Sequence, residues 1–194
     1  KRRFERASNT PFAQVSLYYN NLVGIQEQSW YRGTTLRELR AQTSRGGISM
    51  SLLDENGRLL QGGTGAGRTY VVGSDGQRYT MLIRNDTGGT YEMVSSVDGL
   101  DVIDGKPASL SKRGYIVAPY STLQVEGFRT SESSVAAFRF GSVANSYAAR
   151  TSGDRNVGVI GFAFFAERGS RWTTDEIHRR ETANPFPNYA QPPR

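Results

Sequence analysis

From residue 48 onward, apolar residues recur at every second position, and glycine, asparagine and aspartate break the alternation at short intervals. Ile48, Met50 and Leu52 alternate with Ser49 and Ser51. A period of two is the signature of a half-buried strand, because successive side chains on extended backbone point to opposite faces. Asp54-Glu55-Asn56-Gly57 follows, and its Asn-Gly is a strong hairpin signal. Further β-prone stretches are Thr69–Val72, Tyr79–Arg84 and Tyr91–Val97, separated by Gly73-Ser74-Asp75-Gly76 and by Asn85-Asp86-Thr87-Gly88-Gly89. Leu123 and Val125 alternate with polar neighbours, as do Ala136, Phe138 and Phe140. Strands recurring every 8–12 residues or so, with turn residues between them, predict an all-β, antiparallel β-sandwich of jelly-roll or immunoglobulin-like type. No helical segment interleaves, which argues against a parallel βαβ sheet.

The rest of the chain is read around that block. Residues 46–168 are the expected sandwich domain. Within it Asn156–Phe165 is apolar without alternation, as expected of a central strand covered on both faces. The glycines at 62, 63, 65 and 67 read as a loop, and Ser146–Arg150 as one helical turn. Residues 1–45 read as an N-terminal extension. Pro11–Tyr19 alternates like a strand, and Thr35 with Glu38 and the apolar pair Leu36 and Leu39 reads as the capped start of a short helix. Strand 12–19 is expected at an edge, free to pair with the sheet of a neighbouring subunit. Residues 169–194 read as a helical turn, with Thr174 as N-cap, followed by a tail holding four of the seven prolines.

Composition closes off several chemistries. At 37% hydrophobic and 22% charged, the 194 residues support a packed core. The absence of Cys excludes disulfides, thiolate nucleophiles and Cys-based zinc sites. It also suits a compartment outside the cytoplasm. No apolar run reaches the ~20 residues of a transmembrane helix. The chain starts at Lys1 with no signal-peptide pattern, so it reads as a processed or trimmed sequence.

A search for chemistry finds little. A serine-type triad would need His178, the one histidine, which sits beside Arg179 and Arg180 and far from any G-x-S-x-G. The glycine stretch 62–67 fits neither a Walker loop nor a dinucleotide fingerprint. Asp98, Asp101 and Asp104 recur every three residues around Asp-Gly pairs. They read as two tight turns flanking a short strand, with cation binding as the minor alternative. No catalytic residue, cofactor or metal is therefore assigned.

Charge and aromatic residues carry the remaining hints. Three of the 24 basic residues are lysines (Lys1, Lys106 and Lys112), so 21 are arginines. They are dispersed over turns and polar strand faces, with one cluster at Lys1–Arg6. That distribution speaks against a nucleic-acid groove and for arginine-rich protein interfaces. Phe138, Phe140, Phe162 and Phe164 read as core. Phe4, Phe12, Tyr18, Trp30, Trp172, Phe186 and Tyr189 read as interaction anchors, either in a subunit interface or as a sugar-binding platform. The bland alternative is that they fold back on their own sandwich.

The middle of the chain also carries a resemblance. Val94-Ser95-Ser96-Val97-Asp98-Gly99-Leu100-Asp101-Val102-Ile103-Asp104-Gly105-Lys106-Pro107-Ala108 resembles a segment of exported bacterial proteins that have no assigned activity. Arg113–Pro119, Val125–Arg129, Ser134–Phe140, Ser146–Arg150 and Asn156–Gly161 continue it, over about residues 69–168. The resemblance implies a periplasmic, cell-surface or secreted β-sandwich and transfers no catalytic residue. Together these readings lead to a non-enzymatic structural or assembly protein. It would act on other protein subunits or on itself, with a polysaccharide-binding module as the alternative and an enzyme of unknown class third.

Overall fold

The computed structural model describes residues 3–131, 133–141 and 158–170. Fourteen strands and one short helix are built from them: β1 (Ala13–Asn20), α1 (Leu22–Gln26), β2 (Arg37–Glu38), β3 (Ala41–Gln42), β4 (Ile48–Leu53), β5 (Gln61–Gly65), β6 (Arg68–Val72), β7 (Arg78–Asn85), β8 (Tyr91–Val97), β9 (Leu100–Asp101), β10 (Tyr115–Val117), β11 (Ser121–Val125), β12 (Gly127–Arg129), β13 (Val135–Arg139) and β14 (Val159–Ala166). They form two packed sheets, the expected all-β sandwich. The eight-stranded sheet runs β10-β8-β14-β1-β6-β5-β2, with β9 beside β8. The six-stranded sheet runs β12-β13-β7-β4-β3, with β11 beside β7. Among the described residues no helix is long and apolar enough to cross a membrane.

The period-two pattern sets the core. Met50 and Leu52 on β4 and Tyr79, Met81 and Ile83 on β7 meet Leu17 on β1, Tyr91 and Met93 on β8, and Ile160, Phe162 and Phe164 on β14. At about 25 cal/mol per Å² of apolar surface removed from water, this two-sheet contact is the main stabilising term. The Asn-Gly hairpin forms as its residues predict: Asp54 Oδ1 accepts from the Asn56 and Arg58 amides at 2.8 and 2.9 Å, and Leu53 bridges Leu59. β14 lies between β8 and β1. Its apparent lack of alternation hides one. Ile160, Phe162 and Phe164 face the core, while Ala163 and Phe165 join Val94 in a second cluster on the outer face.

Four expectations change. Strand 12–19 is not an edge strand: β1 pairs with β14 on one side and, in parallel, with β6 on the other. It is therefore unavailable to a neighbour's sheet. The parallel pair departs from the antiparallel expectation: between β1 and β6 the chain forms β2 at the far edge of the same sheet, crosses to the other sheet as β3 and β4, and returns as β5. Within residues 1–45, β1 and β2 join the eight-stranded sheet and β3 the six-stranded one. The helix expected from Thr35 is β2, whose Arg37 and Glu38 pair with Gly62 and Gln61. So short a helix is marginal by itself, and the open edge of β5 outcompetes it. The helix forms instead at Leu22–Gln26, where the Asn21 side chain caps the Gly24 amide.

Lastly, Gly62, Gly63 and Gly65 lie in strand β5, and only Ala66-Gly67 forms a turn, leading into β6. The glycines of β5 let the chain pass under other groups: a Cβ at Gly62 would meet the Tyr70 carbonyl, and one at Gly65 the ring of Trp30. The turn expected around Ser146–Arg150 and the one capped by Thr174 lie outside the described residues.

Candidate functional site

The site is built on the outer face of the eight-stranded sheet, where the N-terminal segment continues the β1–β14 ladder. The Ala7 amide donates to the Ala166 carbonyl and the Arg168 amide to the Glu5 carbonyl, at 2.9 and 2.8 Å. Arg6 bridges Glu167 in this register. Its guanidinium lies 3.6 Å above the Phe165 ring, a cation–π contact that closes the outer apolar cluster. Nε donates to Glu92 Oε1 at 2.6 Å, while the two terminal nitrogens donate to the Leu110 and Lys112 carbonyls. The other Glu92 oxygen accepts from the Gly114 amide at 3.2 Å. The Glu92 side chain is only 5% exposed and that of Arg6 16%. One arginine thereby joins the N-terminal segment, β8, β14 and the 110–112 loop.

Above this rivet opens a groove of about 800 Å³. Arg3, Phe4, Asn9, Ser111, Arg113 and Arg168 line its upper part, with Arg6 and Glu92 below. Arg168 makes a loose, exposed ion pair with Glu5 at 3.6 Å. Arg3 and Arg113 have no carboxylate partner among the described residues. With Arg6 neutralised by Glu92, three guanidinium groups face one carboxylate, so the groove is basic. Leu110 (42% exposed) lines its wall. Ile116 (47% exposed), opposite Glu92 on the edge strand β10, shares its face of the sheet. Guanidinium forks beside an exposed leucine and a half-buried phenylalanine suit the recognition of carboxylate-bearing protein surfaces.

The anchors named from sequence do not converge on this groove, except Phe4, which lines it. Phe12 packs on Tyr91 and Phe164, at ring separations of 5.0 and 6.5 Å. Tyr18 lies 5.9 Å from Tyr70, with the Arg68 guanidinium 4.6 Å above its ring. Trp30 stacks on Tyr70 at 5.3 Å, meets Tyr31 edge-on, and donates from Nε1 to Gln28. All three make these contacts with residues of their own chain and remain partly exposed. Trp172, Phe186, Tyr189 and His178 lie outside the described residues. Sequence reasoning missed Glu92, Arg113 and Arg168. Glu92 was the available signal, a lone acid inside the β-prone run Tyr91–Val97.

A second polar cluster lies between the sheets' ends. Asp98 and Gly99 both have positive φ (52° and 82°), the two-residue turn that joins β8 to β9. Asp98 Oδ1 accepts from the Gly158 and Val159 amides, and Oδ2 from the Tyr19 hydroxyl at 2.6 Å. Burial raises the Asp98 carboxyl above its ordinary range, outweighing the hydrogen bonds that pull it down. Burial first, then the Asp98 charge and hydrogen bond, push the Tyr19 hydroxyl far up. Tyr79, stacked on Phe140 at 4.3 Å, is also raised by burial, and its hydroxyl has no partner among the described residues.

Asp101 and Asp104 close the second turn by accepting from the Ile103 and Lys106 amides, both at 2.8 Å. Burial raises Asp101, whereas the Lys112 hydrogen bond lowers Asp104. The three aspartates therefore serve turns. Among the described residues no group of three potential ligands is gathered for a metal ion.

Compared with family models, with curated proteins and with solved structures, the chain matches none. The geometry of the groove is left to carry the functional argument.

Proposed function

We propose that this chain is a non-enzymatic β-sandwich module of an exported bacterial assembly, and that it works by protein–protein contact through the groove above Arg6 and Glu92. The observation that carries the reading is the set of exposed guanidinium groups of Arg3, Arg113 and Arg168 beside Phe4 and Leu110, gathered from the N-terminal segment, the 110–114 loop and the end of β14. Arginine and aromatic side chains are the groups enriched where protein interfaces bury energy. The buried carboxylates point the same way. Glu92, Asp98 and Asp101 are each engaged by backbone amides or by Arg6, as structural groups are. Export and envelope location rest on the resemblance over residues 69–168.

The test places a photo-crosslinking amino acid at Ser111, inside the groove, and for comparison at Ser44, in the exposed turn between β3 and β4. Protein adducts formed from position 111 and not from 44, and lost in Arg113→Glu/Arg168→Glu, are the expected result. Equal yields from both positions, or adducts indifferent to the charge reversal, overturn the reading. Retention of the wild type, and not of the charge-reversed protein, on an immobilised acidic polysaccharide with no protein adduct would favour the sugar-binding alternative.

A further inference from the structure

The opposite face of the sandwich carries the groove's electrostatic counterpart. On the outer face of the six-stranded sheet, Asp54, Glu55 and Glu126 surround Arg78 and Thr80 in a depression of about 360 Å³. Asp54 and Glu55 follow β4, Arg78 and Thr80 lie on β7, and Glu126 sits at the kink between β11 and β12. Alternation puts Arg78 and Thr80 outside, because Tyr79 and Met81 on the same strand are buried in the core. Three carboxylates thus line the depression with one guanidinium, while the guanidinium of Arg139, opposite Arg78 on β13, donates to the Gly76 carbonyl. The Glu55 and Glu126 carboxylates have no hydrogen-bond or ion-pair partner among the described residues. Asp54 uses one carboxylate oxygen to hold its hairpin turn, and no described contact engages the other.

We infer that the occupant of the basic groove is a second copy of this chain, presenting Asp54, Glu55 and Glu126 to Arg3, Arg113 and Arg168. This rests on the protein-contact reading above and names its partner. Charge complementarity between two faces of one molecule is the supporting observation. Arginine forks pair with carboxylates in bidentate fashion, and among the described residues Arg3 and Arg113 in one groove and Glu55 and Glu126 in the other have no ion-pair partner. The two grooves lie on opposite faces, so the contact is heterologous. Each pair keeps one free groove of each sign, one on either copy, and growth continues head to tail until a ring closes or a filament forms.

Sedimentation velocity over a concentration series, at about 0.05 M and about 0.5 M NaCl, tests the idea, because pairing of exposed charges is screened by salt. Three proteins are compared: the wild type, Arg113→Glu/Arg168→Glu, and Glu55→Arg/Glu126→Arg. The wild type is expected to associate at low salt and to dissociate at high salt. Each charge-reversed protein by itself should associate about tenfold or more weakly. An equimolar mixture of the two should recover association, because each reversed groove then meets its complement. All four reversed side chains are solvent-facing, and an unchanged melting temperature confirms that each variant is folded.

A wild type that is monomeric at low salt overturns the inference, as does a mixture of folded variants that fails to recover. If that happens while Ser111 crosslinks a different protein, the protein-contact reading stands and the second copy is wrong. If Ser111 crosslinks nothing, both fall.

Discussion

The Tyr19 hydroxyl donates to Asp98 Oδ2 at 2.6 Å, linking residues 79 positions apart in the chain. Asp98 also receives the Gly158 and Val159 amides, at 2.6 and 3.2 Å. One buried carboxylate therefore ties the end of β1 and the start of β14 to the turn after β8. Its left-handed backbone suits aspartate or asparagine and strains alanine. Asp98→Ala leaves three donors without their acceptor and is expected to cost about 3–4 kcal/mol. Asp98→Asn keeps an acceptor oxygen and the tolerated φ, and should cost about 1 kcal/mol. Urea unfolding with an unchanged slope measures both.

The same carboxyl sets a pH dependence. Burial raises Asp98 in the folded state above its ordinary 3.8, so the folded protein holds this proton more tightly than the unfolded chain does. Its contribution to stability is full below the unfolded value and is lost as pH rises through the folded one. Asp101 acts in the same sense, and Asp104, lowered by Lys112, in the opposite one. Subtracting the stability of Asp98→Asn from that of the wild type at each pH isolates Asp98. The difference should decline as pH rises from about 4 toward neutrality. A flat or rising difference would falsify the assignment.

The Arg6–Glu92 pair should behave as a buried ion pair. Arg6→Ala strands Glu92 under the 110–114 loop and uncovers Phe165, for an expected loss of about 3 kcal/mol that added salt hardly changes. Replacing both partners, as Arg6→Met/Glu92→Leu, should recover most of it. Arg84→Ala, which breaks the exposed pair with Asp86, is expected to cost about 0.5 kcal/mol or less. Chemical denaturation at two salt concentrations separates the cases.

Gly65 is expected to be intolerant of a methyl group. A Cβ there would run into the Trp30 ring, which lies flat between Tyr70 and β5. Gly65→Ala should expel Trp30 from its stack, costing about 1–3 kcal/mol. A red shift in tryptophan fluorescence in a Trp172→Phe background reports the expulsion. An unshifted spectrum at unchanged stability contradicts the packing described.

Tyr79 buries a hydroxyl that no described group satisfies. Tyr79→Phe keeps the stacks on Phe138 and Phe140 and removes the unpaired group. It is expected to leave stability unchanged or raise it by about 1 kcal/mol, read as a higher melting temperature.

The sandwich was legible because its cause is local. Met50 and Leu52, or Tyr79, Met81 and Ile83, point the same way whatever sheet they join, and Asn56-Gly57 turns the chain by its own backbone preference. The glycines of β5 misled for the complementary reason. Glycine reads as a loop former by itself, whereas at 62 and 65 it answers the close approach of Tyr70 and Trp30, which come from elsewhere. Strand 12–19 was recognisable as a strand, but its place was not. Nothing within Ala13–Asn20 records that β14 and β6 flank it.

What the sequence by itself determined is the class of structure. Period-two burial with tight turns requires sheets, and 21 arginines without a cysteine supply guanidinium groups and no thiol chemistry. Only the tertiary structure decided which arginines share one groove. Arg6, Arg113 and Arg168 are far apart in the chain and meet because residues 5–7 extend the ladder beside β14 while the 110–114 loop folds over Glu92. Charge acts through distance in space, and a linear sequence records only distance along the chain.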